Sequence, residues 1–237
     1  KRSFVEKLMR LNKSFVVKRS FTGRKEKLNG AKKLSAYIHE SLKSGEHVWL
    51  AQKEGRAKDG VDFTDTAVLK MLHLAGRKLG WELKDSLKFL NLVPVSISYE
   101  WDPCDEDKAR ELVAYEQQGH YEKTHDEDLS SIIKGLQGNN GQVAIHFSDV
   151  LSLETNVADD WSRKIDENIH QNYRLYDNNH LAHGLLNSED VTDKATYKTW
   201  KKRYSHLNKD LYKRIVQTYA QSVISQNLAN QKNDTEK

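Results

Sequence analysis

Glu54, Gly55 and Arg56 stand together in the stretch Val48-Trp49-Leu50-Ala51-Gln52-Lys53-Glu54-Gly55-Arg56-Ala57-Lys58-Asp59-Gly60. Its apolar start, residues 47–52, reads as a buried strand. That strand empties into a loop holding two carboxylates, two glycines and three cations. An α/β protein commonly presents an anion site this way, at the carboxyl end of a strand. A solvated surface turn has the same composition, and both readings stand at this point.

Two further cations follow an apolar run in Ser14-Phe15-Val16-Val17-Lys18-Arg19, a second expected strand. A third strand is expected over Leu92–Tyr99, with Pro94 at its first turn or on an edge because proline cannot donate to a ladder. If the ends of these strands share one edge, Lys18 or Arg19 and Arg56 converge on an anion, and Gly55 lets the backbone approach it. The arginine fork suits phosphate, since it donates two hydrogen bonds in one plane.

Charge is distributed in keeping with an anionic partner. Residues 1–33 hold 12 Lys or Arg against Glu6 and Glu26, a balance of +10, so the remainder carries about −6 of the net +4. A basic first third attracts phosphate esters, anionic lipid head groups or nucleic acid, and a solvated face of long side chains is the plain alternative. The lone Cys104 excludes an internal disulfide framework. No apolar run approaches the length of a membrane-spanning helix.

The elements that must position these residues alternate through the first two thirds. Helices are expected over 3–11, 24–43, 65–75, within 77–90, from the Asp102–Asp105 cap to 118, and over 126–136. A fourth strand is expected over 142–147. From 158 onward the apolar spacing is helical, over 158–175, 178–187, 192–205 and 208–229, with a frayed polar tail from Asn230. The expected architecture is α/β: a mixed central sheet flanked by helices over 1–150, and a helical C-terminal region over 151–237 packed on that core.

Phe15-Val16-Val17-Lys18-Arg19-Ser20-Phe21-Thr22-Gly23 resembles the second block of the glycerolipid acyltransferases, the glycerol-3-phosphate and 1-acylglycerol-3-phosphate family. Glu54-Gly55-Arg56-Ala57-Lys58-Asp59-Gly60 resembles their third block. Leu92-Val93-Pro94-Val95-Ser96-Ile97-Ser98-Tyr99-Glu100 resembles their fourth. Order and spacing agree, over about residues 1–105. The resemblance implies acyl transfer from acyl-CoA or acyl carrier protein to a phosphorylated glycerol or lysophospholipid, with no further cofactor. Lys18, Arg19, Glu54, Gly55, Arg56 and Pro94 would then form the acceptor-phosphate site. It also implies a peripheral position on an anionic membrane surface, at the cytoplasmic side of the inner membrane.

Three departures matter. Asn12-Lys13 replaces the glycine that heads the second block, and the third block is one residue short between Gly55 and Arg56. None of the 10 histidines is followed five residues later by Asp, so the family's catalytic His-x4-Asp motif is absent. That motif precedes the second block, where this chain begins, so a truncated and by itself inactive chain is expected. The alternative class is a non-catalytic module that binds anionic lipid or nucleic acid through the basic first third, although no nucleic-acid partner is expected.

Other features carry less. His120 and His125 beside Asp126 and Asp128 lack a third ligand at metal-binding spacing and read as a solvated helix start, so no metal is expected. His180 and His183 read as one helix face, the five tryptophans as core or interface anchors, and Tyr212, Ile215, Val216, Tyr219 and Val223 as a core-facing stripe.

Overall fold

The computed structural model describes residues 23–53, 57–123, 127–190 and 192–235. The expected helix 3–11 and strand 14–19 lie outside the described residues. So do five of the six candidate site residues: Lys18, Arg19, Glu54, Gly55 and Arg56.

The described chain is dominated by helix and falls into two compact units. One comprises the described residues of 1–51, 66–91 and 152–158, and the other the described residues of 52–65, 92–151 and 159–237.

In the first unit, α1 (Arg24–Lys43), α2 (Thr66–Arg77) and α3 (Leu83–Phe89) form a small helical group. Ile38, Leu69, Leu72 and Leu87 supply its apolar centre. Ser35 and His39 on α1 hold the end of α2: Ser35 Oγ donates to Leu72 O at 2.9 Å and accepts from Ala75 N, and His39 Nε2 meets Leu72 O at 3.0 Å. These contacts satisfy carbonyls and amides that helix ends or side-chain burial would otherwise leave costly. Gly76 lets α2 and α3 approach closely, because a Cβ there would stand 2.1 Å from Ser86 Oγ. Ser86 Oγ meets His73 Nδ1 at 2.8 Å.

The second unit holds all the described strand structure. β1 (Val95–Tyr99) pairs antiparallel with β2 (Val143–Phe147), Ile97 opposite Ile145. The pairing is prolonged by Ser148 N–H to Pro94 O and by Leu151 N–H to Leu92 O. Its small polar face is pinned: Ser96 Oγ donates to Asn172 O and Ser98 Oγ accepts from Arg174 N. Ile97, Tyr99, Val143, Ile145 and Phe147 of the opposite face are exposed.

Six helices complete this unit: α4 (Asp105–Gln118), α5 (Glu127–Gln137), α6 (Ala158–Gln171), α7 (Asp177–Leu186), α8 (Lys194–Tyr204) and α9 (Lys209–Thr235). The first turn of α4 carries Asp105, Glu106 and Asp107 where the helix dipole favours negative charge, and its end is Gly119 at φ +74°. Asp193 caps α8 by accepting from Ala195 N and Thr196 N.

The core of the unit packs Trp101, Trp200, Tyr204 and Tyr219 with Ala182, Ile215 and Ala220. Trp200 meets Tyr204 and Tyr219 edge to face, with centroids 4.7 and 5.3 Å apart. Inside this cluster Asp105 Oδ2 accepts from Tyr204 OH at 2.7 Å, Tyr219 OH at 2.9 Å and Arg203 at 3.2 Å. Burial, followed by the neighbouring Asp105 charge, raises the Tyr204 hydroxyl well above the usual phenolic range, so it stays protonated and donates.

Several expectations need correction. Among the described residues there is no mixed central sheet, only the β1–β2 pair. Residues 47–52 are not a strand: Trp49 is 63% and Leu50 39% exposed, and no described strand lies beside them to complete their hydrogen bonds. An apolar run is a strand only where a neighbour satisfies its backbone. Trp49 is thus no core anchor, whereas Trp101, Trp161 and Trp200 are buried. The third strand begins after Pro94, not before it. α6 stops at Gln171, and α9 runs to Thr235 with no break at Asn230.

Asp105→Ala is expected to lower stability by about 3 kcal/mol, because two buried tyrosine hydroxyls and the half-buried Arg203 lose the carboxylate they share. Tyr219→Phe is expected to cost about 1–2 kcal/mol, and urea midpoints followed by tryptophan fluorescence would measure both.

Candidate functional site

The described residues of 52–65, which overlap the stretch Val48–Gly60 that the sequence singles out, belong to the second unit. The two arms of this loop are built onto one another and onto three helices. Asp65 N–H donates to Gln52 O at 2.9 Å and closes the base. Lys53 Nζ crosses from the outgoing arm to the returning one, donating to Val61 O at 3.2 Å and standing 3.6 Å from Asp62 Oδ1. The same ammonium lies 4.4 Å over the Phe63 ring. Val61 N–H donates to Asp59 Oδ1 at 3.0 Å, an Asx turn that shapes the returning arm.

Each helix contact fixes a different part of the loop. Lys58 pairs with Glu111 of α4, whose carboxylate is otherwise buried. Gly60, at φ +80°, sits against α9: a Cβ there would be 2.7 Å from Thr218 O and 3.0 Å from Gln221 Cβ. Both the left-handed backbone and the approach exclude a side chain. On α6, Asp166 Oδ1 accepts from Thr64 N at 2.7 Å and from Thr64 Oγ1 at 2.6 Å. One turn further on, His170 Nε2 donates to Asp62 O at 2.8 Å, and its ring packs against Tyr173 with centroids 5.4 Å apart. Burial, then the charges of Asp62 and Asp166, push the Tyr173 hydroxyl far above its ordinary range.

The electrostatic outcome differs from what composition implies. Lys53 and Lys58 both have carboxylate partners, and Lys53 also has a carbonyl and a ring, so they are spent within the loop and its mount. Of the cations that the sequence places in this loop, Arg56 is the one outside the described residues. Gln52 Nε2 is buried with no hydrogen-bond partner among the described residues, a donor whose desolvation favours any acceptor brought near it.

Pro94 is the one candidate site residue that is described. It is buried at the threshold of β1, its carbonyl held by Ser148 N–H at 3.0 Å. Sequence reasoning missed Thr64, Asp166, Glu111 and His170, because their partners lie 53 to 108 residues away along the chain. Gly60 was visible as a turn residue, but not as the place where α9 touches the loop.

Elsewhere, His73 lines a depression of about 410 Å³ in the first unit with Lys70, Glu82, Leu83, Asn156 and Ala158. Burial and the nearby Arg77 lower the pKa of His73, so its imidazole is neutral at neutral pH. Ser86, its partner, is fully buried and closed to substrate. Among the described residues there is no group of three or more His, Cys, Asp or Glu placed to hold a metal, and no helix long and apolar enough to cross a membrane.

Burial is the largest influence on the Asp166 carboxyl and pushes it up from its ordinary 3.8, against the two hydrogen bonds from Thr64. The folded chain thus holds this proton more tightly than the unfolded chain, and between 3.8 and the raised value stability increases as pH falls. Asp166→Asn is expected to flatten that part of the profile, seen as urea midpoints that vary less across the mildly acidic range. The chain matches no family model, no curated protein and no solved structure.

Proposed function

We propose that this chain takes part in acyl transfer from an acyl thioester to a hydroxyl of a glycerol phosphate or lysophospholipid, a step of phospholipid synthesis, and that it carries the acceptor-phosphate site. The observation that supports this most is the ordered trio of sequence blocks: an apolar run ending in Lys18-Arg19, then Glu54-Gly55-Arg56, then the run Leu92–Glu100 that contains Pro94. The loop geometry is consistent with it. With Lys53 and Lys58 engaged by Asp62 and Glu111, phosphate recognition falls to Arg56, helped by Arg19.

In this reading a histidine oriented by an aspartate removes the proton from the acceptor hydroxyl as its oxygen attacks the thioester carbonyl. The tetrahedral intermediate collapses, the C–S bond breaks, and the thiol leaves carrying the proton. No covalent enzyme intermediate forms. The His-x4-Asp pair is not among these 237 residues, so this chain's share is positioning: Arg19 and Arg56 hold the phosphate, and Glu54, Gly55 and Pro94 shape the pocket. The partners are acyl-CoA or acyl carrier protein, and an anionic membrane surface met peripherally at the cytoplasmic face. The acyltransferase core would occupy residues 1–150, with 151–237 as a helical extension. The mixed sheet expected of that core requires strands beyond the described residues.

Thiol release from acyl-CoA, measured with glycerol 3-phosphate and with lysophosphatidate on a protein joining this chain to a His-x4-Asp segment, tests the reading. Transfer is expected, and Arg56→Ala should lower kcat/KM by roughly tenfold to a hundredfold, the worth of a charge-assisted hydrogen bond. No thioester consumption with any phosphorylated glycerol acceptor defeats the proposal. Tight, steeply salt-dependent binding to single strands, with none to glycerol phosphates, favours the nucleic-acid alternative instead.

A further inference from the structure

The β1–β2 ribbon is mounted with its polar face inward. An antiparallel ribbon at a domain surface ordinarily turns apolar residues to the core and polar ones to water. Here Ser96 is buried with its hydroxyl on Asn172 O, and Ser98 Oγ accepts from Arg174 N. The other face presents Ile97, Tyr99, Val143, Ile145 and Phe147, each between 37 and 65% exposed, with the half-buried Val95 in the same rows. None of these six side chains carries a charge. A slip of one residue would exchange the faces but break both serine bonds, so the inversion is fixed.

Two properties of this face indicate what covers it. The first is area. Its exposed fractions leave roughly 500 Å² of apolar side chain in water, about half of it on the two aromatic rings. A homodimer interface of ordinary size buries about 800 Å² on each partner, of which about 65% is apolar, so the two quantities match. The second is arrangement. The register sets Tyr99 beside Val143 at one end and Phe147 beside Val95 at the other, so the aromatics lie on a diagonal with Ile97 and Ile145 between them. A twofold axis in the face, crossing the strands at right angles, seats Tyr99 over Val95 of a second copy and Phe147 over Val143 of that copy. Each large ring then meets a small side chain, and each isoleucine meets its own counterpart. A nucleic acid or an anionic lipid finds no cation on this face.

From this geometry we infer that the exposed face of the β1–β2 ribbon is a dimerisation surface, on which a second copy of this chain packs face to face about a twofold axis. The two ribbons form a sandwich with about 10 Å between its layers, and their aromatic and aliphatic side chains become its core. The pairing is independent of any acyl-transfer role.

Sedimentation equilibrium of the 237-residue chain from about 1 to 100 μM tests this, because interfaces of ordinary size hold at micromolar concentrations or below. A monomer–dimer equilibrium is expected. Ile145→Asp and Ile145→Lys each set like charges together at the axis and should weaken the dimer by about a hundredfold. Mixed in equal amounts, the two variants oppose unlike charges and should form a dimer containing one of each. Phe147→Ser adds no charge, should weaken the dimer about tenfold, and keeps the test decisive where the charged variants do not fold. Tyr115→Asp, at an exposed tyrosine of α4, should leave the equilibrium unchanged.

A chain that is monomeric at every concentration overturns the inference; if it then binds phosphatidylcholine vesicles and Ile145→Asp abolishes that binding, the face is a lipid contact instead. Dimers that survive Ile145→Asp and Phe147→Ser unchanged place the interface elsewhere and overturn it as well. Folded charged variants that stay monomeric when mixed overturn the twofold arrangement.

Discussion

One carboxylate oxygen organises the larger unit. Asp105 Oδ2 lies at the start of α4 and gathers donors from α8 and α9, through Arg203, Tyr204 and Tyr219. A buried carboxylate with no partner is among the most costly arrangements a core can contain, and one with three well-placed donors selects a single packing of the helices that bring them. The aromatic rings supply the burial and the oxygen supplies the register. Tyr219 OH also accepts from Asp102 N–H, so the turn leading into α4 is fixed by the same hydroxyl. Slipping α9 by one residue would turn Tyr219 away from the carboxylate and leave it uncompensated.

This arrangement carries through to the loop at 52–65. Glu111 lies on the helix that Asp105 begins, and Thr218 immediately precedes Tyr219 on α9. The backbone carbonyl that excludes a side chain at Gly60 is therefore fixed by the residue whose hydroxyl serves Asp105. Core and loop are coupled through adjacent residues of one helix, and no long pathway has to be invoked.

The helices were largely legible in the sequence because their signals are local. Apolar spacing, the Ser44-Gly45 stop of α1, the acidic start of α4 and the stripe Ile215-Val216-Tyr219-Val223 all act within a turn or two of themselves. The β1–β2 strands were legible for the same reason, through β-branched residues bounded by turn residues. What failed was any judgement requiring a partner. Residues 47–52 have strand composition, yet whether they pair depends on what lies beside them. The Asp105 network and the Thr64–Asp166 attachment join residues about a hundred positions apart, and nothing near either one announces the other. Glu54, Gly55 and Arg56 lie outside the described residues, and the contacts that hold Lys58, Gly60, Asp62 and Thr64 beside them were not legible.

The hydrogen bond from Asp65 N–H to Gln52 O makes the intervening chain behave as a ring. The ends meet because the base is pinned, whatever residues form the tip. Closure entropy rises only with the logarithm of length, about 0.6 kcal/mol for each doubling. Added length between the pinned ends therefore costs folding little, provided that Lys58, Gly60, Asp62 and Thr64 keep their contacts with α4, α6 and α9.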